Sequence, residues 1–254
     1  MKITLITNVL NAEETIAESI LSATNQTYKN IEYIIVDGVS NDKTLSIIDR
    51  HRDKISKFVS EPDKNLYDAM NKGIKLASGD IIGFLHADNL FVSDDVIERV
   101  AKIFKQREVD AVWGDLIYVD KQNTQKTIRY WKSCTYSEGL FNKGWMPPHP
   151  AFFVKKAVYE KYGYFNTDFE ISADYEVMLR FLHRYKISTA YLPEVLVKMR
   201  LGGLSNRNFG NIIKKSSEDL LAWKVNGLKG RIDTLLLKNV SKIPQFFKRE
   251  FAKD

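Results

Sequence analysis

Four places in this chain put chemically useful side chains where a fold could hold them still. The first is His86-Ala87-Asp88-Asn89, directly after the apolar run Ile81–Leu85. Such a run, bounded by polar turns, reads as a strand buried on both faces, and open α/β sheets take ligands at the carboxyl ends of such strands. A hard divalent cation needs carboxylate oxygens, and Asp88 at a strand tip is rigidly held to supply one. His86 is open to three readings: metal ligand, diphosphate contact, or tip residue without a role. As a ligand its imidazole would favour Mn2+ over Mg2+. The second place is Asp37, which ends the run Ile31–Val36. It is either a turn aspartate ahead of a helix over Lys43–Arg52, bonding nearby amides, or a ligand contact. The third is His149 in Met146-Pro147-Pro148-His149-Pro150, where three prolines stiffen the backbone around one side chain. The fourth is Asp174 in Ala173-Asp174-Tyr175-Glu176, at a helix start where Asp is a favoured N-cap.

These residues need a scaffold, and the periodicity supplies one. Ile3–Thr7 and Ile55–Ser60 read as further strands, and Ile16, Ile20 and Ala23 mark a helix. The loop Thr7–Asn11 has no glycine, so it is neither a dinucleotide fingerprint nor a P-loop. Leu66, Met70 and Ile74 give the next helix one apolar stripe. Asn65 is placed as its N-cap, Asp68 as the reciprocal capping partner, and Ser78-Gly79 as a left-handed stop. Lys72, one turn after Asp68, is either a solvated helical lysine or a diphosphate contact. Val96, Ile97, Val100, Ala101 and Phe104 predict a helix, and Ala111–Val119 with Lys126–Tyr130 predicts an antiparallel hairpin. Trp145 lies in an irregular stretch suited to a binding loop. Ile187–Tyr191 and Val195–Arg200 read as two short strands, and the paired glycines of Arg200-Leu201-Gly202-Gly203-Leu204-Ser205 suit a movable lid.

The block Glu61–Asn89, EPDKNLYDAMNKGIKLASGDIIGFLHADN, resembles the central block of the family 2 inverting glycosyltransferases. Asp37-Gly38, Ser40, Asp42 and Thr44 match a second family motif. Met146-Pro147 with His149 matches a third, and Ala173-Asp174-Tyr175-Glu176 through Arg180 a fourth. His86 and Asn89 depart from the family's acidic tip, and Leu10 replaces a Tyr that often lies against the base. The resemblance implies a GT-A fold, a mixed and mainly parallel sheet flanked by helices. It implies donor contacts from Thr7, Asn11, Asp37, Asp68, Lys72, Arg200 and Ser205, with Asp37 accepting from the nucleotide base. It implies a divalent metal, Mn2+ or Mg2+, at Asp88, with His86 and His149 as further candidates. His149 and Trp145 are candidate acceptor contacts, and Asp174 matches the catalytic base. The expected donor is a nucleoside diphosphate sugar, UDP-linked ahead of GDP-linked, and the acceptor a glycan or lipid-linked hydroxyl. The alternative is a sugar-nucleotide-binding protein that has lost catalysis, with His86 and Asn89 as its marks.

Composition limits the remaining choices. The single cysteine, Cys134, excludes an internal disulfide and a cysteine metal cluster. No apolar run approaches the ~20 residues of a membrane span. The N-terminus reads as a first strand rather than a signal peptide, so a cytoplasmic protein is expected. The net charge of +6 lies wholly in residues 204–254, which hold eleven basic and five acidic side chains. The expected division is a catalytic domain over 1–203 and a basic, amphipathic helical extension over 204–254. The extension lacks an aromatic platform or groove-reading motif, so nucleic acid is not expected. An anionic membrane surface is, placing the protein at the inner face of the cell membrane, and a homodimer is compatible with the apolar stripes.

Overall fold

The computed structural model describes residues 1–202 and 209–230, together with 234 and 238. One nine-stranded sheet organises them. Strands β1 (Ile3–Val9), β2 (Ile31–Asp37), β3 (Lys57–Ser60) and β4 (Ile81–Phe84) run parallel in the order β3-β2-β1-β4. The sheet continues through β8 (Phe152–Lys155), antiparallel to both β4 and β6 (Ala111–Val119). Strand β9 (Thr189–Arg200) lies parallel to β6, β5 (Asn89–Phe91) is antiparallel on its far side, and β7 (Thr127–Trp131) forms a hairpin with β6. This mixed, mainly parallel sheet with helices on both faces is the expected architecture.

Strand alternation divides the core in two. Ile6, Ile34, Val36, Ile82 and Phe84 face helices α3 (Leu66–Leu76) and α6 (Ala173–Met178). Ile3, Leu5, Ile35, Ile81 and Leu85 face α1 (Ile16–Thr24) and α4 (Val96–Gln106). Helix α3 approaches β1 so closely that a Cβ on Gly73 would lie 2.5 Å from Ile6 Cγ2. Helix α2 covers only Thr44–Asp49, and a separate 3-10 turn follows at Arg52–Lys54 where one longer helix was expected. Helix α5 spans Lys156–Tyr162.

Several expectations need correction. Leu66 is exposed, and the buried stripe of α3 is Tyr67, Met70 and Ile74, because the helix turns its second residue inward. Asn65 does cap α3, but the Asp68 carboxylate accepts from the N–H of Lys64 rather than Asn65. Helix α3 ends at an extended Ala77, and Gly79 is not left-handed. A glycine is required there because a Cβ would sit 2.5 Å from Thr4 Oγ1 and 2.9 Å from the Lys2 carbonyl. The two short C-terminal strands are one strand, β9, whose register shifts opposite Gly114 and Asp115. That irregularity accommodates Pro193, which cannot donate to a regular ladder. Strands β5 and β8 were not foreseen. Asp174 is not the N-cap of α6, a position held by Ser172.

Helix α7 (Phe209–Val225) packs on α6, and Ala222 and Trp223 enter the same cluster as Tyr175, Val177 and Met178. The described part of the basic segment therefore completes the core of the preceding domain. The apolar residues further along the segment, Ile232, Leu235, Leu236, Val240, Phe247 and Phe251, lie outside the described residues.

Candidate active site

The carboxyl ends of β1, β2 and β4 open on one side of the sheet, and their loops interlock. Asn11 adopts a left-handed backbone (φ 51°). Its N–H donates to Ser40 Oγ at 2.9 Å, and its Oδ1 accepts from the N–H of Asn41 at 2.8 Å. Asp37 is fully buried and accepts from Ser40 N–H, Ser40 Oγ and Ser60 Oγ. Its carboxylate thus makes the local turn bonds that its position suggested. Thr7 is also fully buried, donating to the Leu85 carbonyl at 2.6 Å and bonding the Tyr33 hydroxyl at 2.9 Å, which ties β1 to its neighbours. Beside this lattice Leu10 is 60% exposed. A Cβ on Gly38 would meet Asp63 Oδ2 at 3.0 Å and Leu10 Cδ1 at 3.6 Å. Gly38 therefore keeps open the gap between an apolar side chain and a carboxylate.

Lys72 is gathered by carboxylates rather than left in solvent. Its ammonium lies 2.8 Å from Asp63, 3.0 Å from Glu61 and 3.6 Å from Asp68, and donates to the Pro62 carbonyl. Partial burial works against its charge, but these partners hold its pKa above the usual lysine range. Burial pushes the Asp63 carboxyl upward, against the pull of Lys72.

At the tip of β4, Arg200 is buried and reaches two elements at once. One nitrogen donates to the main-chain carbonyl of Asp88 at 3.0 Å, the other to Glu18 at 2.7 Å. Ser19 Oγ donates to the His86 carbonyl at 3.1 Å. Helix α1 and strand β9 therefore clamp the His86–Asn89 turn. Glu18 and Ser19 were missed in the sequence because they look like ordinary helical polar residues. Ser205 lies outside the described residues.

The two histidines meet in space. Their rings lie 5.9 Å apart, and Phe84 packs on both, 6.3 Å from His86 and 5.6 Å from His149, with Phe165 5.6 Å from His149. Burial, helped by the charge of His86, lowers the His149 pKa to about 3. Burial likewise lowers His86, with Asp88 opposing. His86 Nδ1 and His149 Nε2 are buried without a hydrogen-bond partner, as are the side-chain amides of Asn8 and Asn89. Orphaned buried polar atoms are rare in folded proteins and call for an explanation. Two neutral imidazoles beside one carboxylate form a donor set suited to a first-row transition ion. Among the described residues no three His, Cys, Asp or Glu side chains converge on one ion site. The protein's share of such a shell would be partial, leaving positions for oxygen ligands of a substrate.

Asp174 sits in the first turn of α6 with Oδ1 accepting from the Tyr175 N–H at 2.7 Å. Burial of its carboxyl raises its pKa, and Lys215 and Lys238 pull it back. The approach to this turn is held by Glu218, which accepts from the N–H groups of Glu170, Ile171 and Ser172 at 3.0, 2.9 and 2.8 Å. Trp145 is half-buried in an aromatic cluster. It stacks on Tyr136 at 5.7 Å and meets Trp113 edge-on at 5.9 Å, a packing role that the irregular loop had hidden.

The family model described as glycosyl transferase family 2 matches residues 4–163. A PGL/p-HBAD biosynthesis glycosyltransferase of Mycobacterium bovis is 28% identical over 206 residues, covering 80% of this chain and 78% of the relative. An uncharacterised glycosyltransferase of Mycobacterium tuberculosis is 31% identical over 180 residues, covering 70% and 68%. Among solved structures, S. aureus TarS 1–349 superposes with a TM-score of 0.66 at 14% identity, over 95% of this chain and 72% of that one. Against TarS 1–349 in complex with UDP the chain spans 66% of the neighbour's length, with a TM-score of 0.64 and 16% identity over 87% of this chain. The mannosyltransferase PcManGT from Pyrobaculum calidifontis, in complex with GDP-Man and Mn2+, gives a TM-score of 0.65 at 18% identity, over 97% and 73%. With the family pattern matched over more than half its length and GT-A-like neighbours sharing its fold, the chain belongs to glycosyl transferase family 2 and is a glycosyltransferase.

Proposed function

We propose that the protein transfers one sugar from a nucleoside diphosphate sugar to a hydroxyl of a glycan or lipid-linked acceptor, with inversion, in cell-surface polysaccharide biosynthesis. The observation that carries this reading is the gathering of Asn11, Asp37 and Asp88 at the carboxyl ends of parallel strands, where open α/β sheets take ligands. Helix α6 brings Asp174 from the other half of the sequence.

In this reading the nucleotide lies over the loops of β1 and β2, in the gap between Leu10 and Asp63 that Gly38 keeps open. Asn11, Asp37, Asp68, Lys72 and Ser205 order the donor, and Arg200 holds the Asp88 turn in place. Asp174 takes the acceptor hydroxyl proton as the oxygen bonds to the anomeric carbon. The bond to the diphosphate breaks on the opposite face, its electron pair leaving with the nucleotide, so no covalent enzyme intermediate forms. A divalent ion held by Asp88, with one of the two histidines as a further ligand, would neutralise the charge that grows on the leaving diphosphate. A raised carboxyl pKa suits a general base working near neutrality.

Support for a nucleotide-sugar donor comes from fold neighbours described with UDP, UDP-GlcNAc and GDP-Man, and a UDP-sugar is the first candidate. No described helix is long and apolar enough to cross a membrane. We place the enzyme in the cytoplasm, peripheral to the membrane carrying its acceptor. The competing reading, a binding protein without catalysis, rests on His86 and Asn89 at the tip. Incubation of the purified protein with UDP- and GDP-sugars separates the two. Slow release of nucleoside diphosphate that stops with chelator supports an enzyme; donor binding without turnover over many hours, with and without acceptor extracts, supports the alternative.

A further inference from the structure

The charged pair packed on Tyr175, the neighbour of Asp174, comes from the far end of the chain. Lys238 and Asp219 form an ion pair of 2.7 Å, with both side chains nearly inaccessible to solvent. The Lys238 ammonium also lies 3.5 Å from the centre of the Tyr175 ring. Trp223 donates its indole N–H to the Tyr175 hydroxyl at 2.9 Å, fixing the same ring from its other end. Tyr175 is the residue whose main-chain N–H bonds Asp174. Ser172, just before that turn, donates to the Lys215 carbonyl and receives Glu218 on its own N–H.

Burying a lysine is expensive unless it is paired, and burying a pair stabilises little compared with apolar side chains of equal volume. Lys238 and Asp219 are therefore poorly explained as stabilising devices alone. We propose that Lys215, Asp219 and Lys238 are positioning residues for Asp174, a charged set delivered by the C-terminal segment that orients this aspartate and tunes its ionisation. The segment is then part of the catalytic apparatus. This rests on Asp174 being the general base, and the experiment below tells failure of the one from failure of the other.

Lys215 and Lys238 favour the ionised form of Asp174, whereas Asp219 and burial oppose it. Tyr67 of α3 and Tyr118 of β6 also feel its charge, and both hydroxyls stay protonated near neutrality because burial raises them. Glu218 adds negative charge near Tyr67. The two lysines are thus the groups of this set that promote the carboxylate, and removing either raises the pH at which Asp174 ionises.

The test uses the full chain, with Lys215→Met and Lys238→Met as variants. Lys215 is only half-buried, so its variant keeps the question answerable if loss of Lys238 prevents folding. One readout is the Asp174 carboxyl resonance in 13C-labelled protein, assigned by its absence from Asp174→Asn and titrated without substrate. The other is the acidic limb of kcat/KM for donor turnover. Each variant should move both upward by about half a unit to one unit, as expected for loss of a nearby opposite charge. Adding Asp219→Asn to Lys238→Met should bring both partway back. An Asp174 titration unmoved in Lys215→Met overturns the proposal and leaves the segment as packing. A titration that moves while the rate profile does not supports the charge set but removes Asp174 as the base.

Discussion

Arg200 donates to the main-chain carbonyl of Asp88 at 3.0 Å, joining the end of β9 to the tip of β4 across 112 residues of sequence. The contact holds the main chain that carries the Asp88 carboxylate. Its second arm reaches Glu18 at the surface, which anchors the guanidinium without enclosing both charges. Arg200→Met leaves the Asp88 carbonyl without its donor and is expected to lower stability by about 1–3 kcal/mol. Donor affinity should fall several-fold as the turn loosens. Urea unfolding and donor calorimetry measure the two effects, and unchanged affinity would detach Arg200 from the site.

Asp174→Asn keeps the shape of the α6 turn and removes the proton acceptor. Transfer is expected to fall roughly 100-fold or more, with donor binding near wild type. Single-turnover rates with a competent acceptor, beside equilibrium donor binding, decide this. Near-normal turnover would remove Asp174 from the mechanism.

The His86 and His149 imidazoles predict a preference for Mn2+ over Mg2+ in turnover. His86→Asp replaces nitrogen with carboxylate oxygen and should narrow that preference. Metal titrations of both proteins give the comparison. Identical Mn2+ and Mg2+ profiles in wild type and variant would exclude His86 from the metal shell.

Glu32 gives the acid response of the fold a specific source, remote from the site. It is buried at the start of β2, and that burial opposes its charge. Ser78 N–H and Oγ, Thr4 Oγ1 and Lys57 outweigh the penalty and hold its pKa at about 2. A folded pKa below the unfolded one means stability is present above pH ~4.5 and lost as pH falls towards about 2. The loss should be on the order of 3 kcal/mol. Glu32→Gln should be less stable at neutral pH but show a flatter acid limb. Denaturation midpoints across that window check it, and parallel limbs would assign the acid response elsewhere.

Attachment to an anionic membrane is expected to depend on the last residues of the chain, where Phe246-Phe247 precede Lys248-Arg249. Thr234 and Lys238 are buried against the domain, so a truncation that tests attachment must come after them. Removing residues 241–254 deletes Lys242, Lys248, Arg249 and Lys253, each contributing about 1 kcal/mol at most near an anionic surface. Liposome flotation should show binding to anionic vesicles that the truncation weakens. Equal binding to neutral and anionic vesicles would assign these residues another role.

The sequence by itself determined the parallel strands β1 to β4 and the chemistry at their ends. Continuous apolar runs such as Ile31–Val36 and Ile81–Leu85 can satisfy themselves only as buried parallel strands, so Asp37 and Asp88 had to lie at the sheet's carboxyl edge. The Asn65 cap and the helical periods were equally local, and local preferences are what a linear pattern records. Contacts between distant segments are not written in any period. Only the tertiary structure brought His86 beside His149, seated Arg200 on the Asp88 carbonyl, and joined Leu192–Val195 into one strand against Gly114. It also turned part of a basic tail inward. Lys238 looks like one more solvated lysine in the sequence, and only the fold supplies the Asp219 carboxylate and Tyr175 ring that let it be buried beside Asp174.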